Sequence, residues 1–168
     1  HPLSAIDLMT VDSKVLAIGC RYETDLLYLA AYGFSPSNVR GLDMISYSPW
    51  IDCGNMHDMK YEDGTWDCIL LGWTLAYSDD PPKAAKEMMR VTRDGGLMAI
   101  SVTYYPPEVL KKLDEEYPDL AREGVERIQT VEGILELFRP HVKQVYFQHD
   151  VSNPERQGPC LVIFSIKK

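Results

Sequence analysis

The feature that most constrains this chain is its alternation of short apolar runs with helical stretches, separated by turns that carry Gly or Pro. Val15 to Ile18 is an apolar run followed at once by Gly19, and then by a stretch holding Leu26, Leu27, Leu29, Ala30 and Ala31 that stops at Gly33. So short a run suits a strand buried on both faces, whereas the stretch after it has helical spacing, with Gly33 placed as a C-terminal cap. Ser35 to Asn38 supplies a turn, and Val39 to Met44 is a second strand with Asp43 near its end. Pro49 leaves little room for a helix before a third strand near Trp50 to Cys53. After the Asp63-Gly64 turn comes a buried-type strand, Trp66 to Leu71.

Asp80, Pro81 and Pro82 form a helix start, with Ala84, Ala85, Met88, Met89 and Val91 as the inward face. Asp94-Gly95-Gly96 is expected to end that helix, and Leu97 to Thr103 to form the next strand. Pro106-Pro107 opens a charged amphipathic segment to about Tyr117, and Val131 to Phe138 is a second short helix closed by Pro140. Val142 to Phe147 and Cys160 to Ile166, joined by a loop with Pro154 and Gly158, suit an antiparallel pair. The order predicts an α/β fold: a three-layer, Rossmann-like arrangement with a mostly parallel seven-stranded sheet, helices on both faces and an antiparallel C-terminal strand.

With 168 residues the chain fits one domain, residues 1–168. It begins His1-Pro2 rather than with Met, so it can be a fragment of something longer. The formal net charge of -8 gives a field that repels phosphate backbones and anionic membrane surfaces, which argues against nucleic acid or a membrane as partner. Lys111 and Lys112 sit among Asp114, Glu115 and Glu116, as on a solvated helix face. No apolar stretch approaches the length of a membrane span. The four cysteines, Cys20, Cys53, Cys68 and Cys160, show no C-x-x-C pair and no zinc spacing, and are expected to be reduced, from which a cytoplasmic location follows. The histidines form no triad with carboxylates, so no metal site is expected.

In an open sheet of this kind ligands sit outside the carboxyl ends of the strands, where strand order reverses. That nominates Gly19 to Thr24, Asp43 to Ser46, Asn55 to Asp58 and Gly72 to Tyr77. The stretch Trp66 to Gly96, WDCILLGWTLAYSDDPPKAAKEMMRVTRDGG, resembles the central block of the class I S-adenosylmethionine-dependent methyltransferases, of the methyltransferase type 11 kind. NMHDMKYEDGTWD before it, and VLAIGC and VRGLDM further upstream, are similar to the same family in order and spacing. The likeness covers roughly residues 14 to 103.

The resemblance implies a methyltransferase that uses S-adenosylmethionine and acts on a small-molecule acceptor, with a protein partner or homo-oligomer left open. It implies cofactor contacts from Gly19, Cys20, Arg21, Asp43, Met44, Asn55, Met56, Gly72 and Trp73. Asp43 would accept from both ribose hydroxyls, and Asn55 and Met56 would hold the adenine, Asn55 standing where an acid is common. Trp73 and Tyr77 would face the transferable methyl, where aromatic faces stabilise a sulfonium. Tyr77, His57 and Tyr104 are candidate proton acceptors. The segment from Tyr104 to Thr130 would form most of any lid.

Two departures from the family stand out. The glycine-rich first loop keeps only Gly19, with Arg21 and Glu23 at later glycine positions, and Ala76-Tyr77 replaces a frequent Glu-His pair. Arg21 would either reach the cofactor's carboxylate while Glu23 caps the next helix, or pair with Glu23 and fill the pocket. Under the second arrangement the chain is a catalytically silent binding or scaffolding domain. A nicotinamide-binding oxidoreductase would share the first strand and Asp43, but it wants a G-x-G-x-x-G fingerprint that is lacking.

Overall fold

A computed structural model describes residues 2–118 and 127–168. Among these, seven strands form one sheet: β1 (Val15–Ile18), β2 (Val39–Asp43), β3 (Ile51–Cys53), β4 (Trp66–Gly72), β5 (Thr92–Tyr104), β6 (Val142–His149) and β7 (Gly158–Ile166). Their spatial order is β3-β2-β1-β4-β5-β7-β6. All neighbours from β3 to β5 are parallel, and β7 runs antiparallel to both β5 and β6. The mostly parallel seven-stranded sheet with an antiparallel C-terminal strand is therefore as the sequence predicts.

The helices are α1 (Thr24–Ala31), α2 (Pro81–Val91), α3 (Pro107–Glu116) and α4 (Val131–Phe138). Two cores, one on each face of the sheet, explain why β1 is apolar at every position: Leu16 and Ile18 join the core under α2 and α4, while Val15 and Ala17 join the one under α1. α2 is set by its ends. Asp80 accepts from the Lys83 backbone N–H at 3.0 Å, and Pro81 fills a position that needs no N–H donor.

One boundary differs from expectation. α2 ends at Val91, and Asp94-Gly95-Gly96 lies inside β5. Thr92 has already turned extended, with its hydroxyl donating to the Met88 carbonyl at 2.7 Å and its backbone paired with Trp66. The glycines then serve an irregularity between Trp66 and Cys68 in the β4–β5 register, where Gly95 has φ +73. The expected lid falls in part on residues 119–126, outside the described residues. Within the described part, α3 buries none of its side chains.

No helix among the described residues is long and apolar enough to cross a membrane, and no group of His, Cys, Asp and Glu among them is placed to hold a metal ion.

Candidate functional site

β1 lies between β2 and β4, so the chain's first crossover moves one way along the sheet and the later ones the other. The strand tips diverge at that point and leave a cleft. A cavity of about 610 Å³ occupies it, within the usual size of a small-molecule site. Of the residues nominated from sequence, Gly19, Arg21, Asp43, Met44, Asn55, Met56, His57 and Tyr77 line this cavity.

Asp43 ends β2 and is half-buried. Its Oδ2 accepts from the Arg21 backbone N–H at 2.9 Å and its Oδ1 from the Ile45 N–H at 3.1 Å. A carboxylate has about four acceptor positions, so two remain for hydroxyls in the cavity. Arg21 takes φ +40, in the left-handed region that costs an L-residue strain. The backbone thus keeps the conformation a glycine would supply, and the Asp43 hydrogen bond holds it there.

The capping role expected of Glu23 and its expected pairing with Arg21 both need correction. Glu23 stands at the N-cap of α1 but makes no side-chain capping bond; the Ser48 side chain hydrogen-bonds its carboxylate instead and holds it below its ordinary pKa. Glu23 does not line the cavity, and no ion pair joins it to Arg21 among the described residues. Arg21 is exposed at the cavity wall, with no hydrogen-bond partner for its guanidinium among the described residues.

Gly19, at φ +74, passes directly under Thr74: a Cβ there would lie 2.2 Å from Thr74 Oγ1. The glycine is needed for this contact whatever the cavity holds. Thr74 in turn opens a 3-10 turn, Thr74–Tyr77, whose last residue leans over the cavity with half its surface exposed.

On the β3–β4 connection, His57 reaches across the cavity floor. Its Nδ1 lies 2.7 Å from Asn55 Oδ1, and its Nε2 lies 2.8 Å from Ser78 Oγ and 3.4 Å from Asp79 Oδ1. The connection is anchored from α2. Arg90 donates to the carbonyls of Met59 and Tyr61, each at 2.8 Å, and Glu87 accepts from the Met59 N–H at 2.9 Å. The Arg90 guanidinium, hydrogen-bonded to Glu87, holds that carboxyl below its ordinary range.

Four nominated residues lie elsewhere. Cys20 packs into the core beneath Gly41, where a Cβ would come within 2.5 Å of its sulfur, so the side chain points away from the cleft. Gly72 and Trp73 line a second cavity, also of about 610 Å³, on the other side of the β1 and β4 tips, and Ile18 borders both. Trp73 has φ +57 and is half exposed, its backbone N–H donating to the Ser101 carbonyl at 2.9 Å. Tyr104 lies at the C-terminal end of β5, its hydroxyl donating to the Pro154 carbonyl at 3.2 Å, and lines neither cavity. Thr74 lies inside the nominated segment Gly72 to Tyr77 with no role expected of it, and Ser78 and Asp79 lie just beyond that segment. A Thr, Ser or Asp in a loop carries no signal of its own, and what places them is the fold of the turn after β4.

A family model described as a methyltransferase domain matches residues 16–100. A curated relative, an uncharacterized 37.1 kDa protein in a transposon of Streptomyces fradiae, is 29% identical over 131 residues. The match takes in 70% of this chain, and the chain spans about a third (36%) of that relative's length. A solved S-adenosylmethionine-dependent methyltransferase from Methanosarcina mazei superposes with a TM-score of 0.72 at 18% identity, covering 99% of this chain and 97% of that one. The geranyl diphosphate C-methyltransferase of Streptomyces coelicolor, solved with Mg2+, geranyl diphosphate and S-adenosyl-L-homocysteine, superposes with a TM-score of 0.67 at 13% identity, covering 98% and 76%. The sheet order, the cleft at the tips of the first two strands and the family match agree: the chain belongs to the class I S-adenosylmethionine-dependent methyltransferases.

Proposed function

We propose that this chain binds S-adenosylmethionine in the cleft between β1, β2 and the β3–β4 connection and transfers its methyl group to a small-molecule acceptor. The observation that carries the reading is Asp43. It is pinned by two backbone N–H groups at the mouth of a cavity large enough for an adenosyl group, with two acceptor positions to spare.

The residues present fit the cofactor. Asp43 would accept from the ribose hydroxyls, Asn55 and Met56 would meet the base, and the unpartnered Arg21 guanidinium would meet the carboxylate of the methionine part. When bound, the cofactor supplies a methyl group on a sulfonium, which is already activated for displacement. What this chain must add is then chiefly placement: rigid strand tips, Thr74 packed against Gly19, and a loop clamped by Arg90. Tyr77, leaning over the cavity, has a hydroxyl suited to orient an acceptor or take its proton. His57 is engaged on both ring nitrogens, which makes it a poorer proton acceptor than its sequence position suggests.

A small acceptor is supported by the second cavity. Its wall is mostly apolar, with Leu70, Ala99, Leu161 and Ile163, and it reaches the strand tips at Gly72 and Trp73. The test is calorimetric titration with S-adenosylhomocysteine. Saturable one-to-one binding with a rise in melting temperature supports the reading. No heat and no shift would leave the chain a silent, methyltransferase-like scaffold.

A further inference from the structure

Asn55 lines the cleft with a side-chain amide, which has an oxygen acceptor at one end and an NH2 donor at the other. Its amide is not free to choose which end it presents. The backbone N–H of His57 donates to Asn55 Oδ1 at 2.9 Å, and a backbone N–H is always a donor, so the atom it meets is the oxygen. The His57 Nδ1 lies 2.7 Å from the same oxygen and must therefore carry a proton and donate as well.

That assignment propagates through the imidazole. In the neutral imidazole, with its proton on Nδ1, Nε2 accepts, and its partner at 2.8 Å is the Ser78 hydroxyl. Ser78 is 2% exposed, and its oxygen already accepts from the Asp80 N–H at 3.2 Å, which leaves its own proton to donate. The chain of donors runs one way: Asp80 N–H to Ser78 Oγ, Ser78 O–H to His57 Nε2, His57 Nδ1–H to Asn55 Oδ1. It starts at the capped N-terminus of α2, a rigid element, and ends at the cavity wall. The Asn55 Nδ2 has no partner among the described residues, and Asn55 lines the cavity.

We propose that His57 is a positioning residue that locks Asn55 with its amide oxygen turned away, so that the cleft meets a bound base with a hydrogen-bond donor. The base edge this site selects is accordingly a ring nitrogen with a free lone pair rather than an exocyclic amino group. This rests on the reading that the cleft takes an adenosyl group.

The experiment is calorimetric titration of the chain with S-adenosylhomocysteine and with its 1-deaza, 3-deaza and 7-deaza analogues, each of which replaces one ring nitrogen by C–H. The unaltered chain should bind one of the three about fivefold or more weakly than the parent compound, the size of effect a single neutral hydrogen bond supports. His57→Ala keeps the backbone N–H of residue 57 on Oδ1 and loses only the imidazole donor, so it should reduce that penalty in part rather than remove it. His57→Gln, whose own amide can donate to Asn55, should keep more of it than His57→Ala. Asn55→Asp, which presents only acceptors, should abolish it.

A merely structural staple would lower affinity for all four compounds alike in His57→Ala. Equal binding of the three analogues and the parent by the unaltered chain, or an undiminished penalty in His57→Ala or in Asn55→Asp, overturns the inference while the cofactor reading stands. Failure of the parent compound itself to bind the unaltered chain overturns the cofactor reading, and this inference with it.

Discussion

The backbone N–H of Arg21 donates to Asp43 Oδ2 across 2.9 Å, tying the loop after β1 to the tip of β2. The same residue carries φ +40, a conformation disfavoured for an L-residue by about 1–2 kcal/mol. Arg21→Gly should therefore leave thermal stability unchanged or raise it by up to about 1 kcal/mol, the released strain being partly offset by glycine's greater unfolded-state freedom. Affinity for S-adenosylhomocysteine should fall at the same time, because the guanidinium is gone. Denaturant melts and titration of one variant read both signs, and a loss of stability above about 1 kcal/mol would refute the strain argument.

Asp43→Ala should weaken binding of S-adenosylhomocysteine by about 1–3 kcal/mol, the usual cost of losing hydrogen bonds to a charged group. The variant also orphans the Arg21 and Ile45 N–H groups, so a modest drop in melting temperature should accompany it. Asp43→Asn keeps one acceptor and should fall between. Unchanged binding in both variants would remove Asp43 from the site.

Gly19→Ala should destabilise the chain by more than the left-handed backbone alone requires, about 1–2 kcal/mol, because the new methyl lands 2.2 Å from Thr74 Oγ1. Adding Thr74→Gly should recover the steric part and leave the backbone part. If the double variant is no more stable than Gly19→Ala, measured by urea unfolding, Thr74 is not what the glycine accommodates.

Glu87 predicts a pH dependence. Its folded-state pKa is depressed by the hydrogen-bonded Arg90, so its contribution is present above the ordinary carboxylate range and is lost as pH falls through the depressed value. Glu87→Gln should lower stability by about 1–3 kcal/mol at neutral pH, and the difference from the unaltered chain should close in acid. Urea melts at several pH values check the slope. A gap that widens on acidification would reverse the sign of the argument.

Thiol chemistry should single out Cys53, the one exposed cysteine of the four. Burial, with help from Asp25 and Asp43, pushes Cys20 up to about 11; burial and the Asp150 contact do the same for Cys160; burial, with Asp67 adding to it, raises Cys68 further. Brief maleimide treatment at neutral pH should add one label, located by mass spectrometry at Cys53, and four after unfolding. A fast label on Cys20 would show that the loop after β1 opens.

The succession of strands and helices, a mostly parallel sheet with helices on both faces and a cleft at the strand tips were legible in the chain itself. Alternating short apolar runs and Gly- or Pro-marked turns are local signals, and right-handed connections leave few ways to assemble them. The ends of α2 show the limit. Asp80-Pro81 marks its start by local chemistry, whereas Thr92 ends it through a hydrogen bond to Met88 and pairing with Trp66 in a distant strand.

The site divides along the same line. Asp43, Asn55 and Met56 could be nominated because they sit at strand tips, and strand tips are a property of sequence order. Why the His57 ring is tied to Ser78, why Arg21 adopts a glycine's backbone, and why Cys20 points into the core while Trp73 turns to a second cavity are decided by contacts between residues tens of positions apart. A side chain's direction is set by what packs against it, and those partners exist only once the sheet has closed its order.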